Sequence, residues 1–282
     1  MARNFIIFHA EREGSTAIIQ SLSERLGVTI VHQENDRGWE PFNKVCCGEM
    51  PMRTLFHCLD VIYGNKPIDF PALNARYTKT AFGPIEAFPP SEILGLKMRF
   101  RPPWRWEMAL PPARWLFNKQ MVSLLRRHNI YVFVTIRQDV MRWALSKYYG
   151  NGKRIGGHLQ YSVAAGKIDP SALPKVTVDL GKFERIVQEF ERKHVINKRL
   201  IGKLQSAGVQ ASPLLYETFA SDPSQFYGQM FDALGVPHPA IDPAQVRSTY
   251  RLNKVHSDDI SSFVVNADDV IARFGNRFAH WA

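Results

Sequence analysis

The chain alternates short, wholly apolar runs with longer stretches of helical period. Phe5-Ile6-Ile7-Phe8 is apolar on both faces, the pattern of a buried parallel strand. From Ser15 the period becomes helical: Ala17, Ile18, Leu22 and Leu26 fall on one face, and Gly27 ends the segment. Val28 to Val31 reads as a second strand, so the first 32 residues predict a βαβ unit. Further along, Ile93–Met98, Ile130–Ile136 and Val209–Tyr216 read as strands. Ala113–Arg127, a helix capped by Asp139 and running to Tyr149, and Lys182–Ala207 read as helices. Asp222-Pro223 opens another helix, which Gly235 closes. Residues 35–90 are irregular, rich in Pro, Gly and Asn, and are expected to hold short helices whose places the sequence does not fix, whereas 150–180 is irregular, glycine-rich and basic and reads as a loop. No repeat and no linker divides the chain. The expectation is an α/β fold: a single domain over 1–282, with a central parallel sheet flanked by helices.

Composition narrows the classes. Apolar residues make up 45% of the 282, which is ordinary for a folded chain. Lysine plus arginine number 36 against 26 acids, a net charge of +10 that suits an anionic partner: nucleic acid, a membrane surface or a phosphorylated small molecule. Cys46, Cys47 and Cys58 are odd in number and two are adjacent, so free thiols are expected, not a disulfide framework. No Cys/His set has zinc spacing, and no metal is expected. The apolar stretch at Phe5 is too short for a secretory signal and nothing reaches the length of a membrane span, so a cytoplasmic location is the default expectation. Peripheral membrane contact is left open.

Two turns carry candidate chemistry. In Arg12-Glu13-Gly14-Ser15-Thr16 a strand feeds a glycine turn and then a helix start. Unpaired backbone amides, two hydroxyls and the Arg12 charge would make an oxyanion cradle there. The Gly-Lys-[Ser/Thr] ending of a Walker A loop is absent. An equally good reading is that Ser15 caps a helix. The second turn follows the strand that ends at Ile136. Arg137 stands at its carboxyl edge, and Ser146 lies nine residues later on the next helix. Together they could hold a second phosphate. Otherwise Arg137 pairs with Asp139 at the surface and Ser146 is a helix-face residue.

The ordered set resembles the sulfotransferases that use 3′-phosphoadenosine 5′-phosphosulfate. Arg12-Glu13-Gly14-Ser15-Thr16 is similar to that family's 5′-phosphosulfate loop, and Arg137 with Ser146 to its 3′-phosphate pair. Tyr216-Glu217-Thr218-Phe219, Asp222-Pro223 and Leu234-Gly235-Val236-Pro237 are similar to its C-terminal strand, loop and helix. Within the family the chain most resembles the bacterial carbohydrate type, represented by the trehalose sulfotransferases. Gln33-Glu34 falls where that type has its catalytic glutamate, and Gly95-Leu96-Lys97-Met98 resembles its Gly-x-Lys stretch. Asn253-Lys254 loosely resembles the cofactor-covering segment. Glu13 is a departure, since it sets a negative charge in the loop.

The resemblance implies a P-loop-like sulfotransferase fold and sulfuryl transfer from that nucleotide to an acceptor hydroxyl on a carbohydrate, a glycolipid or another small molecule. The product would be 3′-phosphoadenosine 5′-phosphate. It implies Arg12 and Lys97 as stabilisers of the leaving phosphate and Glu34 as base, with Glu40 and His32 as lesser candidates. It assigns cofactor binding to Arg12, Glu13, Gly14, Ser15, Thr16, Arg137, Ser146 and Lys254. A nucleotide kinase-like protein is disfavoured by the missing loop lysine and metal carboxylate. A basic polyanion- or nucleic-acid-binding module is disfavoured because no such motif is present. Trp104, Trp106 and Trp115 lie among Arg99, Arg101, Arg105 and Arg114; Trp115 is expected to pack on the core, and the other two read equally as acceptor surface.

Overall fold

The computed structural model describes residues 4–10, 14–26, 28–30, 52–64, 93–99, 111–150, 175–237, 240–248 and 259–275. Among these residues five strands form one sheet in the order β2-β3-β1-β4-β5, and every neighbouring pair is parallel. They are β1 (Asn4–His9), β2 (Thr29–Ile30), β3 (Leu94–Arg99), β4 (Ile130–Ile136) and β5 (Ala211–Leu215). The helices are α1 (Ser15–Arg25), α2 (Met52–Tyr63), α3 (Pro111–Arg127), α4 (Val140–Gly150) and α5 (Leu180–Ser206). They continue with α6 (Tyr216–Ser221), α7 (Pro223–Leu234), α8 (Pro243–Ser248) and α9 (Ala267–Phe274). This is the α/β architecture that the pattern of the chain predicts.

Strand β1 is apolar on both sides because it is central. Ile6 and Phe8 face a core shared with α2, α3 and α5, whereas Phe5 and Ile7 face a second core shared with α1 and α7. A third cluster, with Trp143 of α4 and Phe183 and Phe190 of α5, extends to Phe263 and α9. There the Trp143 and Phe190 rings stack at 4.1 Å.

Several helix ends follow their sequence signals. The Asp139 carboxylate accepts from the Arg142 amide at 2.8 Å, and Asp222 accepts from the Gln225 amide at 3.0 Å. Gly235 closes α7 in the left-handed region at φ 65°. Helix α5 begins at Leu180, two residues before the sequence reading, because Asp179 caps it through the Lys182 amide. One reading is corrected. Val209–Tyr216 is not strand throughout: β5 ends at Leu215, and Tyr216 is already the first residue of α6.

Gly95 owes its place in β3 to packing. A Cβ there would stand 2.3 Å from Phe5 Cζ and 2.7 Å from Ile30 Cδ1, and Phe5 is wholly buried. Gly95→Ala is therefore expected to cost about 1–3 kcal/mol, the usual penalty for an overfilled core. Urea denaturation reads this as a lowered midpoint with an unchanged slope.

Candidate active site

The sheet order creates a crevice. The segment leaving β1 runs by way of α1 to β2 on one side, while the segment leaving β4 leads to β5 on the other. The two strands are neighbours, so their outgoing turns diverge at their carboxyl ends, the place where such sheets bind ligands. Both candidate turns lie there.

In the first turn Gly14 takes φ 71°, ψ 8°, and its carbonyl accepts from the Ile18 amide at 3.2 Å. Gly14 is thus the cap residue of α1, and no side chain caps the helix. Ser15 does not act as the cap. Its Oγ lies 3.1 Å from His9 Nδ1 at the end of β1, and both residues are buried. The tautomer follows from the partners. His9 Nδ1 also lies 2.9 Å from the Ala10 carbonyl oxygen, which only accepts. Nδ1 therefore carries the proton, and Ser15 Oγ accepts from it. The Ser15 hydroxyl proton then points away from His9 and is available to an anion at the amino end of α1.

The second turn is held from two sides. His194 of α5 donates through Nδ1 to the Arg137 carbonyl at 3.3 Å. The amides of Gln138 and Asp139 donate to Glu217 Oε1 of α6 at 3.0 and 3.1 Å. Asp139 pairs with Arg142 at 3.0 Å, and among the described residues no pair between Arg137 and Asp139 is seen. The Arg137 guanidinium instead lies over the Tyr216 ring, 4.5 Å from its centroid. The same ring meets the first turn: a Cβ on Gly14 would stand 2.6 Å from Tyr216 Cε2. Tyr216 is therefore the piece that joins the two turns. Ser146 is half-buried on α4 and makes no hydrogen bond among the described residues.

Lys97 lies beside Ile7 in the register of β1 and β3, and so points to the α1 face of the sheet near its carboxyl edge. It is only 1% exposed and is engaged with a partner, as a buried ammonium must be. His9, two residues beyond Ile7, points to the same face. Arg12, Glu13, Glu34 and Lys254 lie outside the described residues, as does the Thr16 side chain. Trp104 and Trp106 lie outside them as well. Trp115 corrects the expectation that it packs on the core: it is 62% exposed, and the Lys119 ammonium lies 4.9 Å from its ring centre. Among the described residues no group of His, Cys, Asp or Glu is arranged to hold a metal ion, and no helix is long and apolar enough to cross a membrane.

His9 and His194 carry no signal in the sequence, and Tyr216 and Glu217 stand out there only as part of the motif similar to the family's C-terminal strand, loop and helix. His194 is 2% exposed. Burial pushes its pKa below the usual 6.5 and the Lys198 charge adds to this, against the opposing pull of the Arg137 carbonyl and Glu217. The unfolded chain then binds a proton more readily than the folded one. Stability is present above pH 6.5 and is lost as pH falls below it toward the folded pKa. In urea denaturation at a series of pH values, His194→Gln is expected to show a shallower loss below pH 6.5 than the wild type.

No protein-family model and no curated protein sequence matches the chain. Among solved structures it is similar to a sulfotransferase from Alicyclobacillus acidocaldarius, with 12% identity over 100% of this chain and 98% of that one, at a TM-score of 0.39.

Proposed function

We propose that the chain is a sulfotransferase that uses 3′-phosphoadenosine 5′-phosphosulfate and transfers the sulfuryl group to the hydroxyl of a carbohydrate or glycolipid acceptor. One observation carries this reading. The α1 turn with Gly14 and Ser15, and the β4 turn with Arg137, meet through the Tyr216 ring at one edge of a parallel sheet. A ligand held by both needs an anionic group at each end, and the donor set fits a nucleotide with phosphates at its 3′ and 5′ positions. The motif resemblance runs through the same residues in the same order.

The donor nucleotide supplies an activated sulfuryl group. The residues of this chain then have distinct work. The α1 amides and the Ser15 hydroxyl donate to the leaving phosphate and stabilise the charge that develops on it. Arg12 and Lys97 add positive charge on the same side. Arg137 and Ser146 hold the 3′-phosphate, and Lys254 covers the cofactor. Glu34 accepts the proton of the acceptor hydroxyl as its oxygen bonds to sulfur and the bond from sulfur to the phosphate oxygen breaks. Positioning and charge stabilisation supply most of the rate, as in phosphoryl transfer.

Calorimetry tests the reading directly. Titration with 3′-phosphoadenosine 5′-phosphate is expected to give saturable one-site binding without added metal. An absence of binding, or turnover of ATP that depends on magnesium, would overturn it. Transfer of labelled sulfate from the donor nucleotide to an extract of bacterial carbohydrates and glycolipids then identifies the acceptor class.

A further inference from the structure

The sheet face opposite α1 carries a charge pattern that the nucleotide site does not use. Helix α3 holds four Lys or Arg in 17 residues, and residues 192–206 of α5 hold five in 15. Neither segment contains an Asp or a Glu. Both helices pack on the same core, α3 through Phe117, Met121 and Leu124 and α5 through Ile201 and Leu204. Their carboxyl ends meet, since Arg126 Nε lies 3.9 Å from the point where a Cβ on Gly208 would stand. Two of these cations are committed: Arg127 pairs with Asp60 and Lys193 with Glu189. Among the described residues Arg126, Lys198, Arg199 and Lys203 form no ion pair. On α5 the exposed residues Arg192, Arg199 and Lys203 recur at helical spacing, a stripe about 17 Å long.

Large apolar side chains are exposed among these charges: Trp115 at 62%, Leu116 at 40% and Ile196 at 43%. All three lie toward the carboxyl edge of the sheet. Helix α3 enters β4 at the strand's amino end, so its first turns lie at the opposite edge. On α5, Ile196 follows His194, which bonds Arg137 just past the end of β4. A tryptophan whose ring carries a lysine ammonium, with leucine and isoleucine nearby and cations along both helices, matches the interface of an anionic bilayer. Apolar groups enter the acyl boundary while the cations meet the headgroups. The phosphate chain of a nucleic acid complements the cations but offers no place for Leu116 and Ile196.

We propose that this face, formed by α3 and the carboxyl-terminal half of α5, docks the protein on anionic lipid membranes. Docked this way, the apolar end of the patch lies beside the rim of the nucleotide crevice, within reach of an acceptor hydroxyl presented from the bilayer. Vesicle docking does not depend on the sulfotransferase reading; only the approach of the acceptor rests on it.

Sedimentation with phosphatidylcholine vesicles containing roughly one-third phosphatidylglycerol tests it. The wild-type protein is expected to bind these vesicles, to ignore pure phosphatidylcholine, and to bind more weakly as salt is raised above about 0.1 M. The triple variant Arg126→Glu/Arg199→Glu/Lys203→Glu is expected to weaken binding roughly a hundredfold or more, at about fivefold per cation removed. Trp115→Ala is expected to weaken it about tenfold at any salt, which a purely electrostatic contact would not do. Neither variant touches the nucleotide site, so binding of 3′-phosphoadenosine 5′-phosphate is expected to be unchanged, which also reports that the variant folds. If the triple variant does not fold, the salt series and Trp115→Ala decide the matter. The proposal is overturned by equal binding to neutral vesicles, by no vesicle binding, or by tighter binding to a DNA duplex than to vesicles.

Discussion

Arg137→Ala is expected to raise the dissociation constant for 3′-phosphoadenosine 5′-phosphate by about 10²- to 10³-fold. The substitution is informative because the backbone around it is held independently of the side chain. His194 fixes the Arg137 carbonyl and Glu217 fixes the next two amides, so the turn keeps its course when the guanidinium is removed. In the proposed role of Arg137, what disappears is a charge-assisted, forked contact to the 3′-phosphate, a loss on the order of 3–4 kcal/mol. Stability is expected to change less, by about 1 kcal/mol, for the lost contact with the Tyr216 ring. Arg137→Lys keeps the charge without the fork and is expected to recover only part of the affinity. A second ligand sharpens the test. Adenosine 5′-phosphosulfate lacks the 3′-phosphate, so its weaker binding is expected to be nearly insensitive to Arg137→Ala. Equal losses for the two ligands would mean that Arg137 does not hold the 3′-phosphate.

How far this site can be read without coordinates depends on how local each signal is. Strand β4 is legible residue by residue, because Ile130–Ile136 is apolar on both faces and polar residues flank it. The Asp139 and Asp222 caps are legible because a cap reaches only three residues. The turn at Tyr216 is not. Leu214-Leu215-Tyr216 continues an apolar run, and over so few residues a strand end and a helix start look alike. The role of Glu217 is settled by partners 78 and 79 residues away, which no local pattern reports. His9 and Ser15 are six residues apart, one ending a strand and the other starting a helix, and no local pattern reports that their side chains meet. Helix α2 has Leu55, Leu59 and Ile62 on one face, a regular period that twelve residues cannot raise above the surrounding Pro, Gly and Asn. Trp115 misleads for a different reason. Hydrophobicity predicts burial on average, whereas the exposed face of α3 is set by which of its sides meets the core.

Gly14→Ala, a change of one methyl group, is expected to reach both turns at once. The first cost is conformational. At φ 71° an alanine sits in the left-handed region, at about 1–2 kcal/mol over glycine. The second is steric. The new Cβ would lie 2.6 Å from Tyr216 Cε2 and 2.9 Å from Cδ2, so the ring or the turn must move. The ring cannot retreat freely, because the Arg137 guanidinium lies over its face at 4.5 Å. Displacing Tyr216 therefore shifts Arg137, and holding Tyr216 in place distorts the α1 cradle. Either way the spacing between the two turns proposed to hold the nucleotide changes. A fall of more than about a hundredfold in affinity for 3′-phosphoadenosine 5′-phosphate is expected, together with a stability loss of about 2–4 kcal/mol. A double-mutant cycle separates the two causes. With Tyr216→Ala in the background the clash is gone and only the backbone term remains, so Gly14→Ala is expected to cost about 1–2 kcal/mol there. The difference between the two costs measures the contact between turn and ring. If Gly14→Ala costs the same in both backgrounds, the ring does not transmit strain from one turn to the other, and the coupling of the two anion sites through Tyr216 is refuted.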